Sequence, residues 1–188
     1  IMNIIDIVIL GILQGITEFL PVSSSGHLVL AQYMLGIESP GNTLEILFHI
    51  GTLFSVFYVF NKDIKSIVIS LNEKPTQKLV IYIIIATTPA VIIGLIFKSH
   101  IVNLFSSIVP VGYALLLTGA ILTFSINFKN KNKSLSYLYS LLIGLAQAVA
   151  IIPGISRSGT TISISMLLGI PPKEAARFSF LLSIPVII

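Results

Sequence analysis

The stretch Gln14-Gly15-Ile16-Thr17-Glu18-Phe19-Leu20-Pro21-Val22-Ser23-Ser24-Ser25-Gly26-His27 sets a carboxylate, three consecutive hydroxyls and an imidazole inside otherwise lipid-soluble sequence. Ionisable groups are expensive in a bilayer, so such a cluster marks a functional site. On its N-terminal side, residues 4–20 form an apolar segment, short for a full crossing of about 20 residues. On its C-terminal side, Leu28 to Leu35 is a second short apolar segment, closed by Gly36. Two half-length helices around a polar turn predict a re-entrant hairpin; the plainer alternative is one crossing helix with a surface loop. Non-helical backbone at membrane depth survives only where it is buried in protein or lines a wet cavity.

A second polar stretch, Pro153-Gly154-Ile155-Ser156-Arg157-Ser158-Gly159-Thr160-Thr161, repeats the first. Sliding the chain by 133 residues places Gly11 on Gly144 and Gln14 on Gln147. It also places Ser23, Ser25 and Gly26 on Ser156, Ser158 and Gly159, and Leu35-Gly36-Ile37 on Leu168-Gly169-Ile170. Chance similarity of apolar stretches would match Leu and Ile, not Gln and Ser-x-Ser-Gly. Between the two hairpins lie three expected spans, Leu44–Phe60, Leu79–Phe97 and Pro110–Phe128, the second kinked at Thr87-Thr88-Pro89. Asn61–Lys78, Lys98–Val109 and Lys129–Lys133 are the linkers. Leu135–Ile170 is the second interrupted hairpin, and Lys173–Ile188 begins a further span.

An odd number of crossings between two hairpins turns the second upside down. The expected fold is therefore an all-α integral membrane protein with an inverted repeat, the two polar loops meeting near the midplane. Each half would be a re-entrant helical hairpin plus three transmembrane helices. Residues 1–188 form one membrane domain, with repeat 1 over about 1–128 and an incomplete repeat 2 over about 135–188. Ile1 precedes Met2 and the chain stops in an apolar run, so the sequence reads as C-terminally truncated. Lys62, Lys65, Lys74, Lys78, Lys129, Lys131, Lys133 and Lys173 fall on one side and Lys98 on the other. The lysine-rich side is then cytoplasmic, and the first hairpin enters from outside.

Composition agrees. The chain is 55% hydrophobic and 10% charged, against about 25% charged residues in soluble domains. The net charge of +4 comes from lysines in short loops, with no basic face interleaved with aromatics, so no nucleic-acid partner is expected. Absence of cysteine excludes disulfides and thiolate metal sites. The N-terminal apolar run has no basic n-region and is interrupted by Gln14 and Glu18, against a cleaved signal peptide. Tyr33, Tyr58, Tyr82 and Tyr113 read as interfacial or packing residues.

The two polar loops suggest phosphoryl chemistry. Gln14 and Glu18, four apart, share one helix face. With phosphate oxygens and water they make an adequate site for a hard cation such as Mg²⁺; the alternative is that Glu18 simply pairs with Arg157. Ser23, Ser24 and Ser25 offer hydroxyls, and His27 an imidazole as base or acid. Arg157 matches a pair of phosphate oxygens. Ser158, Thr160 and Thr161 sit where a half-helix begins, which favours an anion. Glu45 and His49, also four apart, either extend the site or line its mouth.

With these residues the sequence resembles the bacterial undecaprenyl-diphosphate phosphatase family, integral-membrane proteins associated with bacitracin resistance. Its two signatures, Glu/Gln-x-x-x-Glu leading into a Ser/Gly/His segment and Pro-Gly-x-Ser-Arg-Ser-Gly, are matched by Gln14 to His27 and Pro153 to Thr161. The resemblance implies hydrolysis of undecaprenyl diphosphate to undecaprenyl phosphate and inorganic phosphate, recycling the carrier lipid for the cell wall. It implies a divalent cation, Mg²⁺ or Ca²⁺, organised by Glu18 and Gln14. Ser24 would be the nucleophile, His27 the acid/base and Arg157 the diphosphate clamp. Ser23, Ser25, Ser156, Ser158 and Thr161 would support substrate binding. Many relatives have glutamate at the position of Gln14, so that position is no obligatory base. The implied setting is the bacterial inner membrane, with the site open to the outer face; a homodimer is compatible with the sequence. Inverted-repeat architecture also suits a transporter or flippase of a phosphorylated lipid.

Overall fold

A computed structural model describes residues 3–37, 43–126 and 131–187; the ends Ile1, Met2 and Ile188, and the expected junction with Phe128 and Lys129, lie outside them. Among the described residues there are ten helices and no strand. The first polar stretch does interrupt a helix. α1 (Ile4–Phe19) opens with Asn3 and Asp6 exchanging hydrogen bonds in a capping box. It stops before Pro21, and α2 (Ser24–Met34) begins under Ser23, whose hydroxyl accepts from the Gly26 N–H. The second stretch separates α8 (Tyr137–Val149) from α9 (Arg157–Leu167), where the hydroxyl of Ser156 accepts from the Gly159 N–H. The two half-helices α2 and α9 thus begin and end 133 residues apart, and both close on a left-handed glycine, Gly36 (φ 65°) and Gly169 (φ 94°).

The expected spans are partly recast. α5 (Lys74–Ile96) and α7 (Ile108–Ile126) are long and apolar enough to cross a membrane, with mean hydropathy up to 2.6 and 1.8. The first expected span is α3 (Thr43–Val59), which bends by 69° into a further helix, α4 (Asn61–Ile69), where a linker was expected. The expected linkers over Asn61–Lys78 and Lys98–Val109 are not plain loops. α4 and the short α6 (Lys98–Leu104) occupy much of them. α5 runs through Pro89 as one helix. Thr87 and Thr88 donate to the carbonyls of Ile83 and Ile84, each at 2.8 Å, an arrangement that supports backbone next to a proline without ending the helix.

α10 (Pro172–Ile187) is the last described helix and packs with α5, α3 and α9. The apolar core is small: Ala86, Ile143, Ile170, Ala175, Phe178 and Leu182 join α5, α8 and α10. Leu95, Leu116, Phe124 and Ile126 are largely exposed. Apolar side chains turned outward along long apolar helices, with hydroxyls turned inward, are what a lipid solvent selects. The inward face of α9 is almost entirely hydroxyl: Thr161 meets Ser179 of α10 at 2.7 Å and Ser163 donates to Ser125 of α7 at 3.1 Å.

Candidate active site

The tips of the two hairpins touch through backbone. A Cβ on Gly26 would lie 2.9 Å from Gly154 Cα, and one on Gly159 would lie 2.8 Å from the carbonyl oxygen of Pro21. Only glycine permits both approaches. The break between α8 and α9 turns at Gly154 (φ 96°), and its backbone is stitched to α7 by one side chain. Thr118 donates to the Gly154 carbonyl at 2.8 Å and accepts from the Ser156 N–H at 3.0 Å. That satisfies the non-helical backbone where water is scarce, and it holds the residue just before Arg157.

Across this seam Arg157 Nη2 donates to Glu18 Oε1 at 2.6 Å. The other carboxylate oxygen, Oε2, accepts from Ser24 Oγ at 2.5 Å and from Gln14 Nε2 at 3.1 Å, and faces His49 Nε2 at 3.2 Å. His49 Nδ1 lies 2.6 Å from the Glu45 carbonyl. Both ring nitrogens therefore face oxygens that accept, a geometry satisfied when both carry protons.

These groups border a cavity of about 300 Å³. Glu18, Ser23, Ser24 and Ser25 line it from the first hairpin, and Ser156, Arg157 and Ser158 from the second. Glu45 and His49 join from α3, and Gln147 from α8. Its apolar lining includes Phe105, Ile151, Val186 and Ile187. Four residues singled out from sequence do not border it, among them Thr160, which is buried on α9. Gln14 sits behind Glu18 on its helix face. Thr161 is fully buried against Ser179 and the Arg157 carbonyl. His27 turns Nδ1 onto the Ser23 carbonyl at 2.8 Å. The imidazole that meets the carboxylate is that of His49. Thr118 and Gln147 carried no sequence signal as site residues, except that Gln147 is the repeat partner of Gln14.

The donor set expected for a divalent cation, Glu18 with Gln14, fits poorly. Both Glu18 oxygens are engaged, by Arg157 and His49 among others, whereas Gln14 Oε1 is buried without a partner. Among the described residues no group of three or more His, Cys, Asp or Glu is arranged to hold a metal.

A family model described as "Bacitracin resistance protein BacA" matches residues 7–188. The chain belongs to this family. It is similar to the undecaprenyl-diphosphatase of Halothermothrix orenii, 48% identical over 189 residues that cover 99% of this chain and 72% of that protein. It is also similar to the undecaprenyl-diphosphatase of Christiangramia forsetii, 46% identical over 195 residues covering 99% and 73%. That of Desulforapulum autotrophicum is 45% identical over 200 residues covering 96% and 72%. In this BacA family member the two sequence stretches meet at one buried carboxylate.

Proposed function

We propose that this integral membrane protein is an undecaprenyl-diphosphate phosphatase, releasing inorganic phosphate and undecaprenyl phosphate, and so recycles carrier lipid and gives bacitracin resistance. The observation that carries the reading is the Arg157–Glu18 contact on a cavity lined by hydroxyls and by apolar side chains. The diphosphate lies on Arg157 and the serine hydroxyls, and the start of the prenyl chain lies along Phe105, Ile151 and Val186. Charge-assisted donors aimed at phosphate oxygens in a low-dielectric cavity supply most of the stabilisation phosphoryl transfer needs.

Ser24 is the nucleophile. Its hydroxyl already donates to Glu18, so the proton passes to that carboxylate as Oγ bonds the terminal phosphorus. The bond from phosphorus to the bridging oxygen breaks, and undecaprenyl phosphate leaves as an anion. Water then bonds the phosphorus as the P–Oγ bond breaks, the proton held by Glu18 returns to Ser24 Oγ, and inorganic phosphate is released. His27, one of the family signature residues, holds its Nδ1 proton on the Ser23 carbonyl, which leaves Nε2 as the atom for proton exchange. A divalent cation, Mg²⁺ or Ca²⁺, would be held chiefly by the diphosphate oxygens, with the Glu18 and Gln14 face beside it, and would supply charge neutralisation.

The two hairpins form an inverted repeat opening to the outer face of the cell membrane. The contacts at the tips support this: with the 133-residue shift, Gly26 on Gly154 exchanges with Gly159 on Pro21, the reciprocity of a two-fold axis. Lys133 N–H donates to the Gly169 carbonyl, so α8 begins and α9 ends on the lysine-rich side. Phe105, just after α6 and Lys98 on the opposite side, borders the cavity.

The test is phosphate release from undecaprenyl diphosphate by the purified protein in detergent. Release lost in Glu18→Ala and Arg157→Ala, with expression intact, supports the reading; near-normal turnover in both removes it. The same two-fold contacts favour a second reading, lipid transport, which requires sealed vesicles and gives no phosphate in detergent.

A further inference from the structure

We infer that His49 is a positioning residue for the phosphoryl transfer, holding Glu18 Oε2 on the hydroxyl of Ser24. The inference rests on the reading of the cavity as a diphosphate site with Ser24 as nucleophile.

The terminal torsion of a glutamate is soft and roughly two-fold, so contacts decide where its oxygens point. Those on Glu18 are divided. Oε1 accepts from Arg157 Nη2 at 2.6 Å, whereas Oε2 accepts from Ser24 at 2.5 Å and Gln14 at 3.1 Å and faces His49 Nε2 at 3.2 Å. Arg157 is also the group that the diphosphate engages. As phosphate oxygens draw on its N–H donors, its hold on Oε1 weakens. Gln14 does not replace that hold, because it stands one turn back on the same helix and moves with Glu18. His49 belongs to α3, a separate helix packed on α1. It therefore anchors the carboxylate from outside both hairpins.

The ring is itself fixed. Its Nδ1 lies 2.6 Å from the Glu45 carbonyl, one turn back on α3. A carbonyl oxygen only accepts, so Nδ1 carries a proton and Nε2 is left aimed at the carboxylate. A ring that merely lined the cavity would need neither anchor. The other charged groups on the cavity are occupied elsewhere: Arg157 takes the opposite oxygen of Glu18, and the Glu45 carboxylate accepts from Gln32 at 2.7 Å. The resulting line runs Ser24, Glu18, His49. In a Ser-His-Asp triad the imidazole stands in the middle and takes the serine proton, while the carboxylate orients it. Here the order is exchanged: the carboxylate meets the hydroxyl and the imidazole orients the carboxylate.

The experiment measures kcat and KM separately on undecaprenyl diphosphate, using the full-length protein in detergent with and without added imidazole. The His49 side chain is 25% exposed and borders the cavity, so free imidazole can reach the space left by a smaller residue. His49→Ala is expected to lose kcat about 10²-fold, the scale of misplacing the group that takes the serine proton. KM should stay within about threefold, because the diphosphate contacts are untouched, and imidazole should restore kcat about tenfold or more. His49→Gln should lose kcat without recovery, since its amide fills the space. If His49→Ala does not fold by size exclusion, His49→Ser replaces it with the same expectation. No phosphate release by the wild type strikes the diphosphate reading. Wild-type release with a normal kcat in His49→Ala, a loss carried by KM, or a loss that imidazole does not move overturns the positioning role alone.

Discussion

Arg157 and Glu18, 139 residues apart in sequence, meet at 2.6 Å with both side chains largely buried. The contact closes the seam between the two hairpins and sets a fixed cation beside a fixed carboxylate. Removing one partner of a buried pair leaves the other uncompensated, at a cost of about 3–5 kcal/mol. Arg157→Ala is therefore expected to lower phosphate release by about 10²-fold or more, the scale of losing one oxyanion donor. Arg157→Lys should recover only part of it, since an ammonium lacks the planar fork. Full rescue by lysine, measured as kcat on undecaprenyl diphosphate, would show that charge alone matters.

Thr118→Val keeps the shape of a buried side chain but removes both hydrogen bonds to the α8–α9 break. Each orphaned backbone group costs about 1–3 kcal/mol. The variant is expected to melt lower in detergent and to lose turnover, because Ser156 and Arg157 lose their anchor. An unchanged melting temperature would mean that the break is held by other contacts.

Ser24→Ala removes the hydroxyl on Glu18, and Ser25→Ala removes one that meets only Ser23 at 3.3 Å. Turnover should fall about 10²-fold or more in the first, on the scale of lost covalent or acid–base catalysis, and only modestly in the second. Phosphoserine trapped by acid quench and located by mass spectrometry at Ser24 is the direct check. Equal effects with no trapped phosphate would point to direct attack by water.

His49→Gln and His27→Gln separate the two imidazoles. His49 faces the carboxylate directly, whereas His27 reaches the site only through the Ser23 backbone. Loss of His49 is expected to reduce kcat about 10²-fold, the lower end of what a positioned proton-transfer group contributes. A wild-type rate in His49→Gln would reduce that residue to a wall of the cavity.

Gly144→Ala forces a methyl into the Ala86 backbone, 2.6 Å from its carbonyl oxygen, whereas a Cβ on Gly15 meets nothing within 4 Å. Overpacking of this kind costs about 1–3 kcal/mol. Thermal unfolding in detergent should show destabilisation of Gly144→Ala alone, with Gly15→Ala neutral or better because alanine favours helix.

Much of this was legible along the chain because helix geometry is local. A spacing of four placed Gln14 and Glu18 on one face, and they do bond. Serine before a half-helix predicts a cap, and Ser23 and Ser156 both cap. The repeat sets Gly26 on Gly159, and both stand where backbone of the other hairpin approaches. The all-helical, membrane-suited character followed from composition, since 10% charge cannot cover a water-facing surface. The family signatures lie wholly within these two local stretches.

What sequence left open is what lies across a gap. Nothing near His27 or His49 in sequence reveals which ring reaches Glu18, because that depends on how α3 lies against α1. Thr118 is one threonine in an apolar helix until the α8–α9 break is packed against it, and Gln147 is only a repeat partner until Ala86 holds its amide. Local spacing fixed each half of the site around residues four apart; tertiary packing alone decided that Arg157 meets Glu18, because contacts over 139 residues are set by helix packing and not by helical period.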